Sequence, residues 1–154
     1  MKDSEALKAF KEGLKALRSS YPRSALTHMR KAVELDKGNP FYLSYLGLAF
    51  ALADQDWTEA EDLCFTAVRM KRNQPELYLN LAEVYLRAGK KEDAVWILNN
   101  GLQLTKRDPR LVRALAKLGV RRPPLLTFLD RKNFFNRQLG KLRRRISVAP
   151  RQDA

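Results

Sequence analysis

Few residues in this 154-residue chain are of a type that could do covalent or metal chemistry. There is one cysteine, Cys64, and one histidine, His28. A catalytic nucleophile needs a base within hydrogen-bond reach, and no Ser-His or Cys-His motif surrounds either residue. One Cys and one His cannot make a Cys/His zinc site or a disulfide scaffold. Cys64 sits at a core-facing position and reads as a small buried apolar residue, while His28, between Thr27 and Met29, reads as a surface or structural residue. The chain has no Gly-rich phosphate loop, and its carboxylates are spread over ordinary helix faces. No catalytic residue, metal site or cofactor is expected, and the chain is expected not to be an enzyme.

The chemistry that remains is recognition through charge and apolar surface. Lys and Arg number 30 against 17 Asp and Glu, giving a net charge of +13, and 45% of residues are apolar. That apolar fraction is too high for a wholly disordered chain, and the length suits one domain with a real core. Residues 1–105 carry 15 basic and 14 acidic residues, a net of +1, whereas residues 106–154 carry 15 basic against 3 acidic, a net of +12. The charges of the first residues interrupt any signal-peptide apolar segment, and no run approaches the roughly 18 apolar residues of a membrane span. A soluble, cytoplasmic protein is expected.

The elements that must position these groups follow from an internal repeat. Pro40, Pro75 and Pro109 fall 35 and 34 residues apart, and Ala25, Ala60 and Ala94 keep the same spacings. Ala32, Ala67 and Gly101 do so again, and Gly13, Gly47 and Ala82 share one register. Each unit reads as two helices. Asn39 and Asp108 can cap helices that a proline opens. Leu43, Leu46 and Phe50 recur at helical spacing until Asp54-Gln55-Asp56. Thr58-Glu59-Ala60-Glu61 has the form of a capping box, and Gly89 suits a left-handed stop. Gly47 opposite Ala60, and Ala82 opposite Ala94, let paired helices approach closely.

This pattern resembles the tetratricopeptide repeat. Leu43, Leu46, Gly47 and Phe50, then Tyr78, Leu81, Ala82 and Tyr85, hold the family's large, Leu-Gly/Ala and aromatic positions. Ala60 and Ala67, then Ala94 and Gly101, match its small residues in the second helix. The first unit departs from it, with Glu12 and Ala16 at the leucine and aromatic places, and the second unit carries an extra residue around Asp54 to Trp57. The resemblance implies an all-α, right-handed superhelical α-solenoid of helix-turn-helix repeats. Residues 1–119 form it, with repeats at about 6–39, 40–74 and 75–108 and a capping helix at 109–119.

The resemblance also implies a concave groove lined by the first helix of each unit. Its protein-binding residues are then Phe10, Leu14, Phe41, Tyr45, Leu48, Leu79, Asn80, Glu83 and Arg87. Such an apolar surface with polar markers suits an amphipathic helix or an extended apolar peptide. For Leu14, Leu17 and Leu48, packing against a neighbouring helix is the alternative. Family members that clamp a C-terminal carboxylate use Lys, Asn and Arg at set groove positions. Asn80 fits one place and Arg110 another in a shifted alignment, but Phe10, Leu14, Ser44 and Leu48 stand where other clamp residues belong. Trp57 and Trp96 are expected to pack at turns and helix seams.

Beyond Gly119, residues 120–132 contain Arg121-Arg122-Pro123-Pro124 and the apolar run Leu125 to Leu129, which needs cover. Residues 133–146 read as a basic amphipathic helix: Phe135, Leu139, Leu142 and Ile146 form one face, and Arg137, Lys141, Arg143, Arg144 and Arg145 crowd the rest. Residues 147–154 are expected to be disordered. The leading reading is a non-enzymatic interaction scaffold that binds a protein or peptide, with a basic extension that packs on the repeats or recruits an acidic partner. Alternatives are an anion-binding protein, using Arg121, Arg122 and the basic helix on nucleic acid or an anionic membrane surface, and a small chaperone of this repeat type. A homo-oligomer formed through the extension is also open.

Overall fold

A computed structural model describes residues 2–119, and they fold as seven helices with no strand among them. These are α1 (Lys2–Arg18), α2 (Pro22–Leu35), α3 (Pro40–Ala53), α4 (Trp57–Met70), α5 (Pro75–Arg87), α6 (Lys91–Leu104) and α7 (Pro109–Lys117). The expectations placed on 120–132, 133–146 and 147–154, including Arg121, Arg122, Arg137, Lys141, Arg143, Arg144 and Arg145, lie outside the described residues.

The helix starts follow from local chemistry. Proline opens α2, α3, α5 and α7, where its missing amide costs nothing because the first helical amides have no partner. The side chain of Asn39 accepts from the amide of Phe41 at 3.0 Å, and that of Asp108 accepts from the amide of Arg110 at 2.8 Å. The start of α4 corrects the capping-box expectation. Asp56, two residues before Thr58, is the cap, accepting from the amide of Glu59 at 3.2 Å. The carboxylate there also meets the positive end of the helix dipole, which a hydroxyl matches less well.

Within each helix pair the turn uses one device. Ser20, Gln55 and Gly89 each lie two residues past a helix end, with φ of 60°, 54° and 76°. Two of these turns close in the same way: the amide of Tyr21 reaches the carbonyl of Ala16 at 2.9 Å, and that of Lys90 reaches Tyr85 at 2.8 Å. The extra residue of the second unit sits ahead of Gln55, because α3 spans 14 residues where α5 spans 13.

Neighbouring helices pack in chain order, α1 with α2, α3 with α4, α5 with α6, and each pair on the next. That is an α-solenoid. Its core is built on small side chains: Ala25, Ala32, Ala49, Ala60, Ala67 and Ala94 are all fully buried. At Gly47 the approach of α4 is so close that a Cβ would stand 2.6 Å from Cys64 Sγ and 2.7 Å from the carbonyl oxygen of Ala60. Large residues fill the layer beyond, with Tyr78, Met29, Leu77, Leu81, Leu98 and Leu111 buried completely. Trp57 packs half-buried on this core. Trp96 does not: it is 57% exposed on α6, which corrects its expected place in a seam. No helix among the described residues is long and apolar enough to cross a membrane.

Candidate functional site: the concave groove

The first helices of the pairs, α1, α3 and α5, carry the nine residues expected to face a groove. Phe10, Leu14, Phe41, Tyr45, Leu48, Leu79 and Glu83 are each half-buried, neither locked into the core nor free in solvent. Phe10 joins α1 to α3: its ring centre is 4.7 Å from that of Tyr42 and 5.4 Å, edge-on, from that of Tyr45. Lys71 reaches over the ring of Phe41 at 5.6 Å. Leu48 and Leu79 border one core cluster, alongside Phe41. Arg87 is exposed and pairs with Glu83 one turn earlier at 2.7 Å.

A polar seam runs between α3 and α5. Ser44 is fully buried, and its hydroxyl oxygen accepts from the Asn80 amide nitrogen at 3.1 Å. Asn80 is 8% exposed, so its carboxamide is spent largely on the fold and offers little to the groove. The Cys64 thiol donates to the Ser44 carbonyl at 3.2 Å. Beside them, the Tyr45 hydroxyl donates to a carboxylate oxygen of Glu76. Burial, reinforced by that carboxylate, pushes the Tyr45 phenol well above its ordinary value, while the charge of Arg18 opposes the shift. Glu76 and Tyr45 in turn raise the affinity of the Arg110 guanidinium for its proton, after the larger effect of Asp108. No buried side-chain polar atom among the described residues is left without a partner.

Burial likewise pushes the Cys64 thiol up to about 12 from an ordinary value near 9, with its hydrogen bonds to Ser44 and Leu48 pulling the other way. The folded state thus favours the protonated thiol. Its contribution to stability is complete below about pH 9 and is lost as the pH climbs toward 12. Iodoacetamide labelling at pH 8 is expected to be slowed roughly a thousandfold in the folded protein relative to the urea-unfolded chain. Comparable labelling rates in the two states would contradict this placement of Cys64.

The structure also holds a cleft that the sequence pattern did not single out. Between α5 and α7 lies a cleft of about 400 Å³. Leu79, Leu86, Leu98 and Leu118 give it apolar walls, and the small side chains of Ala82 and Ala114 leave the room. Its polar edge is Glu83 together with Arg110, Arg113 and Lys117 of α7. A signal for it exists: Pro109 shares the register of Pro40 and Pro75, so the groove positions counted from it fall on Arg110, Arg113, Ala114 and Lys117. Among the described residues no group of His, Cys, Asp and Glu is placed to hold a metal ion.

Residues 51–118 match the family model described as tetratricopeptide repeat. Comparison with curated protein sequences gives no match. Among solved structures, the chain is similar to the tetratricopeptide repeat domain of Arabidopsis OM64, at 18% identity over 77% of this chain and 98% of that one, with a TM-score of 0.64. The second such domain of human RPAP3, in complex with the HSP70 peptide SGPTIEEVD, matches at 16% identity over 79% of this chain and 100% of that one, TM-score 0.63. The TPR2B domain of yeast Sti1, in a complex with Hsp70, matches at 17% identity over 75% and 93%, TM-score 0.64. At these identities the likeness is one of fold.

Proposed function

We propose that this chain, whose residues 51–118 match the tetratricopeptide-repeat model and whose fold is that of such domains, is a non-enzymatic interaction module that holds a peptide or helix of another protein along the first helices of its repeats. The observation that carries this reading is the row of half-buried apolar side chains, Phe10, Leu14, Phe41, Leu48 and Leu79, on α1, α3 and α5. A fully buried row would be core, and isolated exposed residues would be ordinary surface. A row of partly exposed apolar side chains at successive groove positions offers a partner apolar surface. Two domains of the same fold, from human RPAP3 and yeast Sti1, are seen in complexes with an HSP70 peptide and with pHsp70, which supports the same use of the fold here. The groove positions of this chain are largely apolar along α1 and α3, which favours a segment with aliphatic or aromatic anchors. The net charge of +12 on residues 106–154 adds a preference for an acidic partner.

Photo-crosslinking in the native cell tests the reading. A photoreactive side chain at Leu48 is expected to capture a protein, and the same group at the exposed Thr66 of α4 is not. Capture only from Thr66, or capture of nucleic acid in place of protein, would overturn it.

A further inference from the structure

We propose that the cleft between α5 and α7 selects an acidic amphipathic segment of the partner: one large apolar side chain enters the cleft while flanking carboxylates pair with Arg113 and Lys117. This rests on the interaction-module reading and specifies the ligand chemistry of that groove.

The charge balance of the cleft is one-sided. Arg110, Arg113 and Lys117 follow one another at spacings of three and four, which puts them on one face of α7. All three are exposed. Arg110 is engaged by Asp108 at 3.1 Å. Arg113 and Lys117 form no ion pair among the described residues. The single carboxylate at the cleft, Glu83, is held by Arg87. Two cations therefore face the cleft without an ion pair of their own, Arg113 sharing the charge of Asp108, which Arg110 already binds, above leucine walls that offer a ligand nothing polar.

That combination discriminates between ligand classes. A small anion would satisfy the cations and leave the leucines wet. A wholly apolar peptide would bury the leucines and leave two desolvated cations unpaired, which is costly. Duplex nucleic acid needs a broad basic face, and a single nucleic acid strand needs aromatic platforms; the cleft has neither. An acidic amphipathic segment satisfies both halves. The volume, about 400 Å³, lies in the range of small-molecule clefts and so has room for a large apolar side chain. Placement along the groove follows as well. Glu76, which takes the Tyr45 hydroxyl of α3 and also acts on Arg110 at the start of α7, repels a carboxylate there, so the acidic part of the ligand belongs at Arg113 and Lys117 and any further apolar residues run toward Leu48 and Phe41.

The test uses the full chain and fluorescence anisotropy with capped helical peptides: leucines flanked by glutamates, the same peptide with glutamine for glutamate, and the same with lysine for glutamate. The glutamate peptide is expected to bind and the glutamine peptide to bind at least about fivefold more weakly. The double substitution Arg113→Glu with Lys117→Glu should weaken the glutamate peptide by about tenfold or more and bring the lysine peptide up in its place. Both positions are exposed, so thermal melting should be little changed. The pair Arg143→Glu with Arg144→Glu reverses as much charge elsewhere in the sequence and should leave the ranking of the peptides intact. The proposal is overturned if Arg113→Glu/Lys117→Glu leaves binding unaltered, or if Arg143→Glu/Arg144→Glu alone abolishes it. Either of those results with Leu48 still crosslinking to a protein would sink the acidic-ligand assignment and leave the interaction module standing.

Discussion

Valine in place of Gly47 is expected to cost about 3 kcal/mol, enough to lower the thermal midpoint by roughly 10 °C. Even the first carbon of a side chain there would stand 2.6 Å from Cys64 Sγ and 2.7 Å from the Ala60 carbonyl oxygen, with Leu63 Cβ at 3.2 Å. The thiol is the end of a side chain and can be removed, but the carbonyl belongs to the backbone of α4. Cys64→Ala should therefore rescue Gly47→Ala only in part, because α4 itself must still move outward. Gly38→Ala is the control: a Cβ there meets nothing closer than Asp36 Oδ1 at 3.5 Å, so the change should stay within about 0.5 kcal/mol. Chemical denaturation of the four variants measures this. Full rescue by Cys64→Ala would show that helix spacing is not what Gly47 sets.

The effect is large because the repeat depends on small residues at fixed positions, and this is also why so much of the fold is legible from the chain. Proline and alanine spacings of 34 and 35 residues mark the helix starts and the seams where two helices meet, and both are properties of single residue types. The cap of α4 shows where such reading stops. Asp54, Asp56 and Thr58 all offer an acceptor ahead of the helix, and spacing alone cannot choose which reaches the amide of Glu59. The polar seam shows a second limit. Ser44 and Asn80 both occupy groove positions in the sequence, yet only three-dimensional geometry shows that they spend their polar groups on each other. Trp96 fails for a related reason: an aromatic residue on a helix implies burial by composition, and its placement on the open side of α6 follows from which face Ala94, Ile97 and Leu98 turn inward.

The role of α7 was within reach of the same register that located α3 and α5. A reading as a cap accounts for Leu111 and Leu115, its two buried residues, and leaves Arg113 and Lys117 as solvated charge. In the proposed reading the register makes it also a fourth groove helix. The two roles are coupled, since the side chains that seat α7 decide where its cations stand.

Leu111→Ala separates those roles. Leu111 is fully buried, and its Cδ1 lies so near Gly101 that a Cβ there would come within 2.9 Å of it. Truncation should cost about 3 kcal/mol from lost burial and the cavity left behind, because the ring of Tyr78, itself fixed by its hydroxyl donating to the Arg72 carbonyl at 2.8 Å, cannot move in to fill it. The loss falls unevenly. With nine residues, α7 is too short to persist as an isolated helix, so its docking and its helicity stand or fall together. Hydrogen exchange is expected to show the amides of α7 losing protection first, while those of α1 to α4 keep theirs. Acidic-peptide binding should weaken in parallel although Arg113 and Lys117 are untouched. If protection instead falls evenly along the chain, the array unfolds as one unit and α7 is not an independently seated groove helix.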